Sequence, residues 1–191
     1  MKKFLLAASL LLAAGAASAQ DNVVKVNILS PIFKTGSFFF EHKLSASSSI
    51  QLGALFTNWN VSDNTDVTGF AITPEYRFYL SETKEALRGF YVGPFLRYQN
   101  LTLKYTDTSY NGTTTSTQKR ESSLNTFGGG VLIGHQWIFK QRFSLDTFLG
   151  PSYNGLLSYK DSNSSSNNVL ADAGLFQGFG IRTGVTFGLA F

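Results

Sequence analysis

The feature that most constrains this chain is an alternation of large apolar residues with small or charged ones. It is clearest in the last segment, where Phe179, Ile181, Val185, Phe187, Leu189 and Phe191 share one parity, broken only at Thr183. The other parity holds Gly178, Gly180, Arg182, Gly184, Thr186, Gly188 and Ala190. Successive side chains of a strand point to opposite faces, so this segment suits a sheet with one apolar face and not an amphipathic helix. The same period recurs over 24–28, 38–44, 50–57, 70–78, 90–99, 127–137 and 143–154. These segments predict an all-β chain of eight strands, most of them long enough to cross a bilayer at a tilt. Pro74, Pro94 and Pro151 fall inside three of the segments. Each removes a ladder donor, so local irregularity is expected there and not the loss of a strand.

The joins alternate in length. Those over 45–48, 81–88 and 140–142 are short, and those over 58–68, 106–122 and 160–168 are longer and rich in Ser, Thr, Asn and Asp. Such polar loops bury too little apolar surface to order themselves well. The first join, 31–37, is short and breaks the rule.

Ahead of the strands, Met1-Lys2-Lys3 is a positive start, followed by an apolar run from Phe4 to Ala17 and the small residues Ala17-Ser18-Ala19. The run is about 14 residues, short of the roughly 20 that span a bilayer as a helix. It reads as a secretory signal over 1–19 cleaved after Ala19, leaving 20–191 as one domain. The chain has no Cys, which excludes a disulfide scaffold, a thiolate metal site, a Cys nucleophile and an acylated Cys. The formal charge of +4 includes Lys2 and Lys3 in the leader. What remains is too small and too scattered for nucleic-acid binding.

Alternation alone does not say which face points outward, because a soluble barrel with an apolar interior alternates too. Charges are absent from the apolar parity, whereas the other carries Lys25, Glu41, Lys43, Glu75, Arg77, Arg97, Asp146 and Arg182. Aromatics gather near strand ends (Phe38, Trp59, Phe78, Tyr79, Phe90, Trp137, Phe139, Phe143), where an interfacial girdle belongs. A Lys or Arg facing lipid at mid-membrane costs roughly 2–4 kcal/mol, so the charged set must face inward. An eight-stranded interior is just wide enough to be filled by side chains. The cations are therefore expected to pair around Glu41, Glu75 and Asp146 and to plug the lumen against a continuous ion channel.

On these features the chain resembles the small outer-membrane barrels of the OmpA and OmpX type in Gram-negative bacteria, within the porin-like superfamily. More narrowly, Val24-Lys25-Val26-Asn27-Ile28-Leu29, Phe40-Glu41-His42-Lys43-Leu44, Thr73-Pro74-Glu75-Tyr76-Arg77-Phe78-Tyr79-Leu80 and the Gly-Phe-Tyr-Val-Gly-Pro-Phe run from Gly89 look like Bacteroidota-type outer-membrane barrel families. The resemblance implies an eight-stranded antiparallel up-and-down transmembrane barrel in the outer membrane. It also implies that Val185, Phe187, Leu189 and Phe191 form an assembly signal, read transiently by the outer-membrane assembly machinery. Further expected partners are outer-membrane lipid, lipopolysaccharide and an envelope protein.

Candidates for chemistry are few. The only histidines, His42 and His135, fall on the lipid-facing parity just before short turns, where they suit an interfacial girdle. Lipid A deacylases and acyltransferases on similar barrels need a His with a nearby Ser and acid toward the outer side. Neither His42-Lys43-Leu44 nor His135-Gln136-Trp137 supplies one. Omptin-type proteolysis needs a larger barrel with carboxylates and a His at its outer rim. Gly128-Gly129-Gly130 lacks the Lys-Ser/Thr and helix of a phosphate loop, and suits close packing within a strand. Asp63, Asp66, Asp107, Asp161 and Asp172 read as solvated loop carboxylates, and the triplets starting at Asn60, Asn111 and Asn163 as loop composition. The expectation is a structural or interaction protein of the envelope, with no cofactor and no catalytic residue. The alternatives are a lipid-modifying enzyme and a narrow pore or small-ligand binder.

Overall fold

The computed structural model describes residues 21–62, 65–80, 85–110, 115–161 and 177–191. The leader, Asp63, Asp172, Asn111, Asn163 and most of the 160–168 join lie outside the described residues. Eight antiparallel strands close into a barrel in sequence order. They are β1 (Asn22–Asn27), β2 (Thr35–Lys43), β3 (Ser48–Ser62), β4 (Thr65–Tyr79), β5 (Gly89–Tyr110), β6 (Thr115–Phe139), β7 (Phe143–Asp161) and β8 (Gly178–Ala190). Strands β1 and β8 close the cylinder through pairs such as Val24↔Leu189 and Val26↔Phe187. Beyond them Asn22 and Phe191 exchange two backbone hydrogen bonds, at 3.0 and 2.9 Å.

The barrel has a turn end, where β2–β3, β4–β5 and β6–β7 connect, and a hairpin end, where β3–β4, β5–β6 and β7–β8 rise. The β1–β2 link is a low spot in the hairpin rim, a single 3-10 turn over Ser30–Phe33 that ends on Lys34 at φ 49°.

The hairpins correct the sequence reading. Most of 58–68 and 106–122, expected as loops, continues as paired strand, with Asn58↔Thr68 on one hairpin and Thr108↔Thr117 on the other. Apolar alternation fades there because Ser, Thr, Asn and Asp occur on both parities, although Val67 still turns inward to a buried cluster with Leu101, Leu103 and Leu124. Thr and Tyr still favour the extended backbone, and cross-strand pairing carries the ladder on.

The prolines leave the strands intact and open the ladders beside them. Pro74 and Pro94 lie on adjacent strands, and the β4–β5 pairing lapses between Ile72↔Tyr98 and Glu75↔Phe95 without a change of register. Pro151 does the same to β6–β7 between Gly130↔Ser152 and Ile133↔Leu149, while its pairing to Ile181 on β8 persists.

The large apolar parity faces outward all round the barrel, as at Phe40, Leu52, Ile72, Phe90, Leu96, Val131, Ile133, Leu149 and Ile181. Rings gather toward the turn end, where Phe143 stacks on Phe187 at 6.0 Å and Phe90 and Trp137 flank His135 at 4.4 and 4.1 Å. Others gather higher, as in Tyr153 against Phe179 at 5.0 Å. Along β7 from Phe143 to Tyr153, at about 3.3 Å per residue and a tilt of about 40°, this band is about 25 Å tall.

Candidate functional site

Inward-facing charge is concentrated in the half of the barrel nearer the turn end. Lys25 on β1 reaches Glu41 on β2 at 2.5 Å and Asp146 on β7 at 3.0 Å. Arg77 on β4 meets Asp146 at 2.8 Å, Glu75 at 2.6 Å and Glu41 at 3.3 Å. Arg182 on β8 spans to the other oxygen of Glu75 at 2.9 Å. Neutral groups complete the set. Gln136 on β6 accepts from Lys25 and Arg77 at 2.8 and 3.1 Å. Ser49 on β3 and Tyr79 on β4 donate to Glu41 at 2.5 and 2.6 Å, and Tyr91 on β5 donates to Asp146 at 2.9 Å. Every strand therefore contributes at least one member to a single connected network.

The network is sealed: Lys25, Glu41, Glu75, Arg77, Gln136 and Asp146 are each at most 2% exposed. Below it, Leu87 from the β4–β5 connection, at φ 74°, is buried with Val23 and Ala190, with Ile138 packed against them. Above it sit Phe95 and Phe148, against which Arg182 packs at 4.6 and 5.1 Å. Lys25, Arg77 and Arg182 are matched by Glu41, Glu75 and Asp146, which is how a buried charge cluster avoids the penalty of an unpaired ion.

Small residues make room for the rings inside. A Cβ on Gly134 would lie 2.4 Å from Tyr91 Cζ, and one on Gly184 would lie 2.5 Å from Phe148 Cζ. In both cases the glycine is the direct cross-strand partner of the ring.

Six of the eight inward charges named from sequence meet in this network, and two do not. Lys43 ends β2 at the rim, half-buried, with Asp21 at 3.9 Å. Parity put it inside, but its height carries it past the plug to water. Arg97 stands above the network and faces no carboxylate among the described residues, because Glu75 is already shared by Arg77 and Arg182. Two girdle assignments are also corrected. Tyr79 is interior, on the parity of Arg77. Trp59 follows the inward parity of β3 and lines a hollow at the hairpin end.

The histidines stand apart from this network. His42 pairs its Nδ1 with Asn22 Oδ1 at 2.8 Å on the exposed face, and His135 lies between Phe90 and Trp137. Val185, Phe187, Leu189 and Phe191 run along the outer side of the seam that β8 makes with β1. Among the described residues no group of His, Asp and Glu is arranged to hold a metal ion.

Gln136, Ser49, Tyr79 and Tyr91 were missed from sequence. Their signal was present, since Tyr79 shares parity with Arg77, and Gln136 faces Asp146 directly across β6 and β7.

A family model described as "Protein of unknown function (DUF3575)" matches residues 4–174. No curated protein matches the chain. Among solved structures, the N-terminal β-barrel domain of Pseudomonas aeruginosa OprF is similar over 91% of this chain and 100% of its own, at 12% identity and a TM-score of 0.40. A likeness that loose transfers nothing from one protein to the other.

Proposed function

The chain belongs to this DUF3575 family, and we propose that it is an integral outer-membrane barrel with a structural or interaction role in the cell envelope and no catalytic activity. The observation that carries the reading is the pairing of an apolar outer band about 25 Å tall with a charge network sealed inside. A water-soluble barrel would hide its apolar set and expose its charges; this one does the reverse.

In this reading the leader exports the chain, the assembly machinery reads the outward residues of β8, and the long hairpins stand on the outer side. There they meet lipopolysaccharide or a neighbouring envelope protein. The interior takes the structural role, with Lys25, Glu41, Glu75, Arg77, Asp146 and Arg182 holding the strands together. Planar-bilayer recording of the purified full chain tests the sealed lumen, and a flat trace is expected. Steady single-channel conductance would refute it. Membrane fractionation tests the placement: the chain should stay in the outer-membrane pellet after an alkaline carbonate wash, and release into the wash would refute it.

A further inference from the structure

Above the sealed network the barrel is hollow. One cavity of about 260 Å³ lies under the Ser30–Phe33 turn, and a second of about 430 Å³ lies toward the hairpin rim. The two share Thr35, Leu55, Arg97, Arg182 and Thr183, so they are lobes of one space with two guanidiniums in their common wall. The electrostatics there are unbalanced. Arg182 already satisfies Glu75, whereas Arg97 Nε is buried with no hydrogen-bond partner and no carboxylate lies within ion-pair reach of its side chain among the described residues. Arg97 as a whole is part-buried, and a guanidinium drawn out of water with no counter-charge is unfavourable. A planar guanidinium facing a cavity is also a natural bidentate receptor for a carboxylate or phosphate.

The walls qualify the ligand. Phe39 and Phe148 meet edge to face at 6.4 Å on one side of the smaller lobe, whereas Asn27 and Ser37 supply polar contacts on another. The larger lobe sets Gln99, Ser152 and Asn154 against Trp59 and Leu101. Such a space suits a molecule with a charged head and an apolar body.

We propose that this hollow binds a small organic anion, its carboxylate or phosphate held by Arg97 with Arg182 beside it and its apolar part against Phe39 and Phe148. The proposal requires the barrel and its hollow but not the membrane placement argued above, so either can fail alone.

The test is calorimetric titration of the full chain, folded in detergent, with benzoate and phenyl phosphate as anionic probes and benzamide as the uncharged match for benzoate. Saturable binding of an anionic probe is expected, with benzamide weaker by about tenfold or more, the difference that a charge-assisted hydrogen bond makes. Arg97→Gln should weaken the anions by a similar factor and leave benzamide unchanged, with Arg97→Lys in between. Fluorescence locates the site. Trp59 lines the hollow and Trp137, the only other Trp, lies in the outer belt, so the probe-induced change should survive Trp137→Phe. Benzamide binding as tightly as benzoate, no saturable binding of either anion, or equal binding by Arg97→Gln would each overturn the proposal. The benzoate–benzamide comparison is made on the unmodified chain and stands even if Arg97→Gln does not fold.

Discussion

Replacing Glu75 with Ala tests whether the interior charges act as one network. Glu75 receives Arg77 Nε at 2.6 Å through one oxygen and Arg182 at 2.9 Å through the other. Its removal affects the two cations unequally. Arg77 keeps Asp146 at 2.8 Å and Glu41 at 3.3 Å, whereas Arg182 loses the one carboxylate it pairs with among the described residues. Breaking a buried pair from one side typically costs about 3–5 kcal/mol, most of it the burden of the stranded charge. With a urea slope of about 2 kcal/mol per molar, the unfolding midpoint should fall by about 1.5–2.5 M. Glu85→Ala is the control: its partner Arg88 lies 3.7 Å away and both side chains are well exposed. Surface pairs of that kind contribute about 0–1 kcal/mol, a shift below about 0.5 M. The double variant Glu75→Ala/Arg182→Ala sharpens the test, because deleting the stranded cation should recover part of the loss. Urea titration of detergent-folded barrels, followed by tryptophan fluorescence, reads all five proteins: the unmodified chain, Glu75→Ala, Glu85→Ala, Arg182→Ala and the double variant. Equal midpoints for Glu75→Ala and Glu85→Ala, or strict additivity in the double variant, would refute the network argument.

Two further outcomes are expected. Leu149→Arg places a cation in the middle of the outer band and should destabilise the vesicle-inserted barrel by roughly 2–4 kcal/mol, with Leu149→Ala as the size control; an equal effect of the two substitutions in a vesicle-based urea titration would argue that this face does not meet lipid. Gly134→Ala pushes a methyl group into the Tyr91 ring, which donates to Asp146 at 2.9 Å, so it should cost about 1–3 kcal/mol and change the near-ultraviolet circular dichroism. Pairing it with Tyr91→Phe should give less than the sum of the two effects, and full additivity would show that the glycine does not act through this ring.

What the sequence made legible was face, and what it withheld was height. Parity separated Glu41, Glu75, Arg77 and Asp146 from their apolar neighbours because the outward side of the band carries no Lys, Arg, Asp or Glu, although large rings such as Phe39, Tyr79 and Phe148 lie inside as well. Parity does not say how far along the barrel axis a residue stands. That depends on the stagger of one strand against the next, which is set by the seven connections and the β1–β8 seam together. Lys43 and Lys25 share the inward side, yet one stands at the rim beside Asp21 and the other at the centre of the network. Arg97 shares that side too and stands above the network. Height also explains the missed partners, since Gln136 and Ser49 carry no charge to mark them and matter only because they lie level with Lys25, Arg77 and Glu41. The hairpins were obscured for the opposite reason. Over 106–122 polar residues occupy both parities, so the apolar alternation that marks a strand is not there to read.

The same geometry suggests why the interior is charged at all. Apolar residues of similar volume fill a core at least as stably as buried ion pairs do, so stability alone does not call for the network. Register does. A slip of β4 by one residue would turn Arg77 outward into the apolar band, at roughly 2–4 kcal/mol, and would leave Glu41 and Asp146 to share Lys25 alone. An apolar core would tolerate that slip far better, because Leu or Phe is acceptable on either side of the wall. The strands are tied by pairs that bridge distant parts of the chain, Lys25 to Asp146 and Glu75 to Arg182. These pairs form only when the β1–β8 seam closes in the observed register. On this argument, replacing Lys25, Glu41, Glu75, Arg77, Asp146 and Arg182 together by apolar residues, so that no charge is stranded, should leave a barrel of comparable urea resistance. It should fold into a mixture of registers, visible as doubled amide resonances on β1 and β8. A single set of resonances from that variant would show that the turns alone fix the register.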